Sequence, residues 1–430
     1  MKSPTHILNR PTLKYTHKGI PLLVGLLMLF TLQKVKGQTI EVCYTCSVKS
    51  IANAIALADS AATILVKKGV YKEADIVIDK PLTLQAEPGA IIDGENRGEV
   101  LSIEADYVTV DGFEIVNVGS SNLKDFSAIR AKRVQYFTIQ NLHIRHPFFA
   151  IFIEKSSYGK VLNNKVYGMA ESEFNAGNGI HIWYSNNLEI KRNEVYQMRD
   201  GIYLEFSDHN LIDHNISKDN VRYGLHFMFS QSNTVSHNTF NHNGAGIAIM
   251  FSKNMKMHRN IFKDNWGGAA YGVLLKEAMD CELTYNIFER NTTGINVEGS
   301  NRITYLHNDF KSNGWAIKSR GANYHNLFTK NNFLNNSFDL AYNGPLNQNS
   351  FDGNYWSEYT GYDLDKDGIG DIPHRPIKLF SYLVNKSRES IILLRSIFID
   401  IIDFAEKISP VLTPDNLVDH SPSIKKIEHD

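Results

Sequence analysis

Gly179-Ile-His-Ile-Trp-Tyr-Ser185, Gly201-Ile-Tyr-Leu-Glu-Phe-Ser207, Gly224-Leu-His-Phe-Met-Phe-Ser230 and Gly246-Ile-Ala-Ile-Met-Phe-Ser252 are one phrase written four times. Gly272-Val-Leu-Leu-Lys-Glu-Ala278 and Gly294-Ile-Asn-Val-Glu-Gly-Ser300 continue it, so the phrase returns every 22 to 26 residues. A second element follows each copy at a fixed offset and closes on asparagine: Asn193, Asn215, Asn238, Asn260, Asn286 and Asn308. Self-similarity at this period marks stacked solenoid coils. Within the phrase the apolar residues fall two apart, as in Ile180/Ile182, Ile202/Leu204, Leu225/Phe227 and Ile247/Ile249, which is the strand period and not the helical one. Asn, Asp, Gly and Ser separate apolar pieces too short for helices.

The fold class that follows is all-β: a right-handed parallel β-helix of roughly 22-residue coils, right-handed because parallel crossovers overwhelmingly take that hand. Inward Ile, Leu, Val and Phe form apolar ladders, and the turn asparagines form hydrogen-bonded ones. Gly201, Gly224, Gly246, Gly272 and Gly294 should occupy equivalent places, with Ile180, Leu204, Phe227, Ile249, Leu275 and Val297 all inside. The repeats run over 107–358. Residues 38–106 supply the first coils and an N-terminal cap, a short amphipathic helix over Ser50–Asp59 followed by strands at Thr63–Lys67 and Asp75–Ile78. Solenoid ends need such covers because they expose unpaired strand edges.

The ends of the chain differ in character from the repeats. Lys14 and Lys18 precede an apolar run from Ile20 to Leu32, then Lys34, Lys36 and Gly37, so 1–37 reads as a secretory signal peptide, with an uncleaved anchor as the alternative. Either way the β-helix is exported. Net charge is −1 over 430 residues with no basic block, which disfavours nucleic acid. Of three cysteines, Cys43 and Cys46 read as a local disulfide or a soft-metal pair, and Cys281 as a small core residue. In 359–376, Asp363, Asp365, Asp367 and Asp371 take positions 1, 3, 5 and 9 of a loop with Gly368 at position 6, the spacing that turns oxygens onto a calcium-like cation. His374 stands where a complete EF-hand has its bidentate glutamate. Residues 377–430 read as a helical C-terminal extension: Leu379, Phe380, Leu383 and Val384, then Ile391, Leu394, Ile397, Phe398, Ile401, Ile402 and Phe404, recur at helical spacing. Such a segment either packs back on the solenoid or docks on a membrane protein or lipid surface.

Parallel β-helices often act on polysaccharides, which requires clustered carboxylates on an outer face. Glu205 and Glu298 fall four coils apart in the outward column, roughly 19 Å at about 4.8 Å per coil, too far for a two-carboxylate glycosidase. The centre of that column is different. His226, Met228 and Met250, with His181 as a further candidate, project outward on nearby coils, and thioether with imidazole is a ligand set suited to Cu(I). The alternative is a satellite core covered by another part of the chain. His214, His237 and His307 share a separate column with Arg192, Arg259 and Tyr285, which reads as a solvated ladder, metal binding being the alternative.

Tyr223-Gly-Leu-His-Phe-Met-Phe-Ser230, Gly244-Ala-Gly-Ile-Ala-Ile-Met-Phe-Ser252 and Tyr271-Gly-Val-Leu-Leu-Lys-Glu277 resemble the NosD family. So do Asn354-Tyr-Trp-Ser357, Gly361-Tyr-Asp-Leu-Asp365, Asp367-Gly-Ile-Gly-Asp371, Arg375-Pro376, Leu394-Arg-Ser396, Asp403-Phe-Ala-Glu406 and Pro410-Val-Leu-Thr-Pro414. The resemblance implies a periplasmic, non-enzymatic accessory protein for maturation of nitrous oxide reductase. It would work with an ATP-binding-cassette ATPase and permease, a copper chaperone lipoprotein and the reductase itself, and support copper delivery to the copper–sulfur centre. It also implies that the C-terminal region engages the permease, keeping the protein at the inner membrane. A carbohydrate-active β-helix enzyme (lyase, hydrolase or epimerase) is the competing reading.

Overall fold

The computed structural model describes residues 37–121, 124–267, 270–343, 348–378, 380, 383–384, 387–393, 396–408 and 417–429. The chain divides into two units, Met1–Gly37 and Gln38–Asp430, and residues 1–36 of the expected signal peptide lie outside the described residues, as do Leu379 and Leu394.

Alternation of apolar and polar residues produces short strands of two to six residues that pair in parallel from coil to coil, in three sheets of 14, 12 and 13 strands. The result is a right-handed parallel β-solenoid of about 13 turns. Ile151, Ile180, Ile202, Leu225, Ile247, Val273, Ile295 and Ile317 are successive register partners in the 12-stranded sheet, and each is fully buried. Ile182, Leu204, Phe227, Ile249, Leu275 and Val297 form the neighbouring inward stack. All six side chains expected inside are inside, although Ile180 belongs to the first stack and the other five to the second. The glycine column has a steric cause: a Cβ on Gly224 would lie 2.7 Å from the carbonyl oxygen of Gly246, so only glycine lets the coils approach there.

The asparagine ladder runs from Asn164 through Asn193, Asn215, Asn238, Asn260, Asn286, Asn308 and Asn331 to Asn354, each Nδ2 donating to the next Oδ1 at 2.9 or 3.0 Å. Each also donates to a backbone carbonyl of the preceding coil, as Asn238 does to Ile212 at 2.9 Å, so its buried amide is satisfied. The residue before each ladder asparagine turns the corner in the left-handed region: φ is 54° at Arg192, 56° at His214, 54° at His237, 53° at Arg259, 58° at Tyr285 and 56° at His307. That corner points away from the core, which is why Arg, His and Tyr interchange in this column.

At the N-terminal end the helix Ile51–Leu57 buries Ile51, Ala54 and Ile55 over the first coils. Glu73 accepts from the Ile51 and Ala52 N–H groups at 2.8 and 3.0 Å, a carboxylate at the positive end of the helix. The strand Thr39–Val42, ahead of this helix, adds one more rung against Ala62–Val66 that the sequence pattern did not reveal. Cys43 and Cys46 are disulfide-bonded. Cys281 is a buried thiol, pushed up to about 12 by burial, and so a core residue rather than a soft ligand.

The expected helical extension over 377–430 is corrected by the structure. Its described helices are a 3₁₀ turn at Arg388–Leu393 and the helix Ile397–Ile408, while 417–429 is extended and returns to the solenoid. Asp419 bridges Phe351 and Ser423 bridges Tyr355 in parallel, and the N–H of Ile427 donates to Asn332 at 2.9 Å. Apolar periodicity identified the helix but could not identify a tail whose attachment uses backbone and ladder hydrogen bonds. Phe380, Val384 and Ile399 pack against Trp315, Phe338 and Ala341, so part of the segment folds back on the last coils.

Candidate functional site

The outer face of the 12-stranded sheet carries two adjacent columns. One runs Arg130, Phe152, His181, Tyr203, His226, Ala248, Leu274, and the other Lys132, Glu154, Trp183, Glu205, Met228, Met250, Lys276. Met228 and Met250 are direct register partners, and His226 lies two residues before Met228 on the same strand. His181 does not join them. Tyr203 lies between His181 and His226, its ring 4.9 Å from the first and 4.5 Å from the second. Two coils, or about 10 Å, therefore separate the two histidine backbones, and His181 stands three coils from Met250. The aromatic rings fill the interval that a shared ion would need. His181 stacks instead on Phe152 at 4.5 Å.

Although these side chains point away from the core, they are covered: Phe152, His181, Tyr203 and His226 are all buried, and the two methionines are half-buried. The chemistry beneath the cover is unusual. Asp200, with no exposed surface, holds Arg222 through two bonds of 2.8 and 2.5 Å, and lies 3.5 Å from His226 Nδ1. Burial alone would raise the Asp200 carboxyl, but Arg222 and His226 hold it below the ordinary carboxylate value. His226 Nε2 is buried with no hydrogen-bond partner, and the Tyr203 hydroxyl lies 3.7 Å from the Met228 sulfur. An orphaned imidazole nitrogen beside two stacked thioethers fits a soft cation. Burial, with Arg199 and Arg130 nearby, lowers His181 to about 3 and keeps it neutral. Asp200 and Arg222 were missed in the sequence, though one signal was available: a charged residue stands one position before Gly201 and two before Gly224, at the entry to the repeat phrase.

Next to His181 the same face opens into a cleft of about 660 Å³ lined by Phe126, Arg130, Phe152, Glu154, Trp183 and Glu205, among others. The sequence reading placed Glu205 against Glu298, and the register does separate them by four coils. It overlooked Glu154, which lies only two coils from Glu205 with Trp183 between.

In the acidic loop, Asp363, Asp365 and Asp367 bring carboxylate oxygens within 4.8 Å of one another. The Asp367 N–H pulls Asp365 down, but the charge of Asp367, loss of solvent, a hydrogen bond with Asp363 and the charge of Asp371 together outweigh it and raise the Asp365 carboxyl. Asp371 is turned to the Leu364 N–H at 2.7 Å rather than into this trio. His374 stacks on Trp356 at 4.8 Å and shares a backbone bridge with Asp419, a structural position away from the loop oxygens.

A family model described as "Periplasmic copper-binding protein (NosD)" matches residues 163–361, a span that includes His181, the methionine pair and the whole asparagine ladder from Asn164 to Asn354. A "Probable ABC transporter binding protein NosD" of Stutzerimonas stutzeri is 28% identical over 376 residues, covering 82% of this chain and 85% of its own. This chain is similar to NosD proteins. A relative of the same description from Pseudomonas aeruginosa is 28% identical over 372 residues, covering 82% of this chain and 86% of its own. Among solved structures, a lacto-N-biosidase of Eubacterium ramulus superposes with a TM-score of 0.51 at 13% identity, over 74% of this chain and 68% of that one. A family 28 exopolygalacturonase of Yersinia enterocolitica gives 0.51 at 11% identity, over 73% and 78%. At such identities the likeness is of fold alone. Among the described residues of this chain, no helix is long and apolar enough to cross a membrane.

Proposed function

We propose that this protein is a periplasmic accessory factor in the maturation of nitrous oxide reductase, and that Cu(I) is its cargo, held by His226 Nε2 and the sulfurs of Met228 and Met250. The observation that carries this reading is the buried, unpartnered His226 Nε2 next to two register-paired thioethers. The Asp200 carboxylate lies 3.5 Å from the other ring nitrogen, Nδ1, and favours the proton there, the tautomer that leaves Nε2 as the ligand atom. Thioether ligands bind Cu(I) without a charge-neutralising anion, so release to an acceptor stays accessible. The partners are an ATP-binding-cassette ATPase and permease, a copper chaperone lipoprotein and the reductase; the names of the relatives support the transporter. The helix Ile397–Ile408 exposes Ile397, Phe398, Ile401 and Phe404, an apolar face fitted to the permease at the membrane. Anaerobic titration of the exported chain with Cu(I) against a chromogenic chelator tests the cargo. Saturable binding of one equivalent supports it, and no competition with the chelator refutes it.

A second reading rests on the cleft. Glu154 and Glu205, two coils apart at roughly 10 Å between backbones with Trp183 between them, line a cleft of about 660 Å³. Depolymerisation of a polysaccharide by the purified protein, abolished by Glu205→Gln, would favour it over the accessory role.

A further inference from the structure

We infer that Asp213, His214 and His237 form a second metal site, for a borderline divalent ion such as Cu(II) or Zn(II), on a different sheet from the methionine pair. The strand Leu211–Asp213 belongs to the 14-stranded sheet and ends on Asp213, and His214 turns the corner directly after it. One coil on, His237 turns the equivalent corner, and the two imidazoles stack at 4.7 Å with their planes 16° apart. Both Nδ1 atoms face the same carboxylate: His214 lies 2.8 Å from Oδ2 and His237 3.2 Å from Oδ1. Ser236 donates to Oδ1 at 2.7 Å and fixes the carboxylate between them. The three ligand atoms lie within 4.8 Å of one another. His258, one coil further, places a third imidazole 6.0 Å from His237.

The rigid corner, and not side-chain chance, sets this geometry. Left-handed backbone at 56° and 54° holds both histidines in step with the coil stack. The next residue in that corner column is Arg259, whose guanidinium is directed at the ring of Tyr285, 5.5 Å away, so the histidine pair ends there. Two imidazoles and a carboxylate, with no sulfur, suit Zn(II), Cu(II) or Ni(II) and not Cu(I). With the rings nearly parallel, the nitrogens lie side by side. A small ring rotation of these half-exposed side chains brings both to about 2.0–2.1 Å from one ion, while Asp213 supplies charge. The site differs from the methionine pair in softness, in sheet and in exposure, so it does not depend on the Cu(I) assignment.

Titration of the full exported chain with Zn(II), and separately with Cu(II), in excess calcium to occupy the acidic loop, decides the matter. One divalent equivalent is expected in the wild-type chain. His214→Gln/His237→Gln should weaken it by more than about tenfold, the least that loss of even an outer-shell partner costs, while Met228→Leu/Met250→Leu leaves it unchanged. Cu(II) electron paramagnetic resonance of the wild type should show nitrogen hyperfine coupling that Asp213→Asn perturbs without loss of folding. Equal divalent affinity in wild type and His214→Gln/His237→Gln, or no nitrogen coupling in the Cu(II) spectrum, overturns the site.

Discussion

The side-chain amide of Asn354 donates to Asp419 Oδ2 at 3.0 Å, so a carboxylate from the C-terminal tail stands where the next ladder asparagine would be. The same carboxylate accepts from the N–H groups of Asn354 and Gly353, at 3.0 and 3.2 Å, and from Trp356 Nε1 at 3.0 Å. The four groups that meet this carboxylate are all donors, and an acceptor-only side chain with no exposed surface is their complement. Asp419→Ala should therefore destabilise the protein by about 2–4 kcal/mol, since several buried donors lose their acceptor. Asp419→Asn, which keeps one oxygen, should cost less. Urea unfolding measures both, and protection of the last coils from hydrogen exchange should fall first in the alanine variant.

This cap shows where the sequence was legible and where it was not. Repetition exposed what recurs identically from coil to coil: the strand period, the inward stacks, the glycine column and the ladder from Asn193 to Asn308. Asp419 lies 65 residues from Asn354 and belongs to no repeat, so no periodic signal points to it. The face that carries the methionine pair divides the same way. Register made Met228 and Met250 neighbours on paper, because adjacency across coils is a matter of counting. How far His181 is from the pair depends on Tyr203 filling the gap with a flat ring, and the burial of outward residues depends on what lies over the sheet. Neither is encoded in spacing.

Acid should destabilise the metal-free protein through His181. Its folded-state pKa is depressed from 6.5 to about 3 by burial and the nearby arginines, so between those values the unfolded chain binds more protons than the folded one. Stability from this group is complete above about pH 6.5 and is lost progressively as pH falls toward 3. His181→Phe keeps the stack between Phe152 and Tyr203 but removes the proton site. Urea midpoints at pH 7, 5 and 4 should fall less steeply in this variant, and parallel slopes would exclude His181 as the source.

Calcium should stabilise the acidic loop. Asp363 already accepts from the Lys366 and Gly368 N–H groups at 2.6 and 2.9 Å, which preforms the turn. The loop is tied to the tail by Gly370 N–H to Pro422 at 2.8 Å and Ile424 N–H to Gly368 at 3.0 Å, so order gained in the loop passes to the cap. At a calcium concentration one hundred times the Kd, the gain is about 2.7 kcal/mol and Tm rises accordingly. Asp365→Asn/Asp367→Asn should abolish the response. Coincident melting curves in calcium and in chelator would remove the cation from this loop.

Replacing Met228 and Met250 by leucine separates sulfur chemistry from packing. Leucine and methionine are near in volume and apolarity, so the half-buried pair keeps its cover and the change in stability should stay below about 1.5 kcal/mol. Loss of both thioethers leaves His226 alone to face a soft cation, and one neutral imidazole is a poor Cu(I) site. Cu(I) affinity should drop by at least about a hundredfold, since two inner-shell ligands are lost where even an outer-shell change costs ten- to a hundredfold. Tyr203→Phe provides the graded control: stacking on His226 remains, the hydroxyl near the Met228 sulfur goes, and affinity should change little. In cells, the methionine double variant should accumulate reductase lacking its copper–sulfur centre while the export and folding of the variant itself stay normal. Unaltered Cu(I) affinity in Met228→Leu/Met250→Leu would show that the orphaned His226 nitrogen serves only the stack of rings around it.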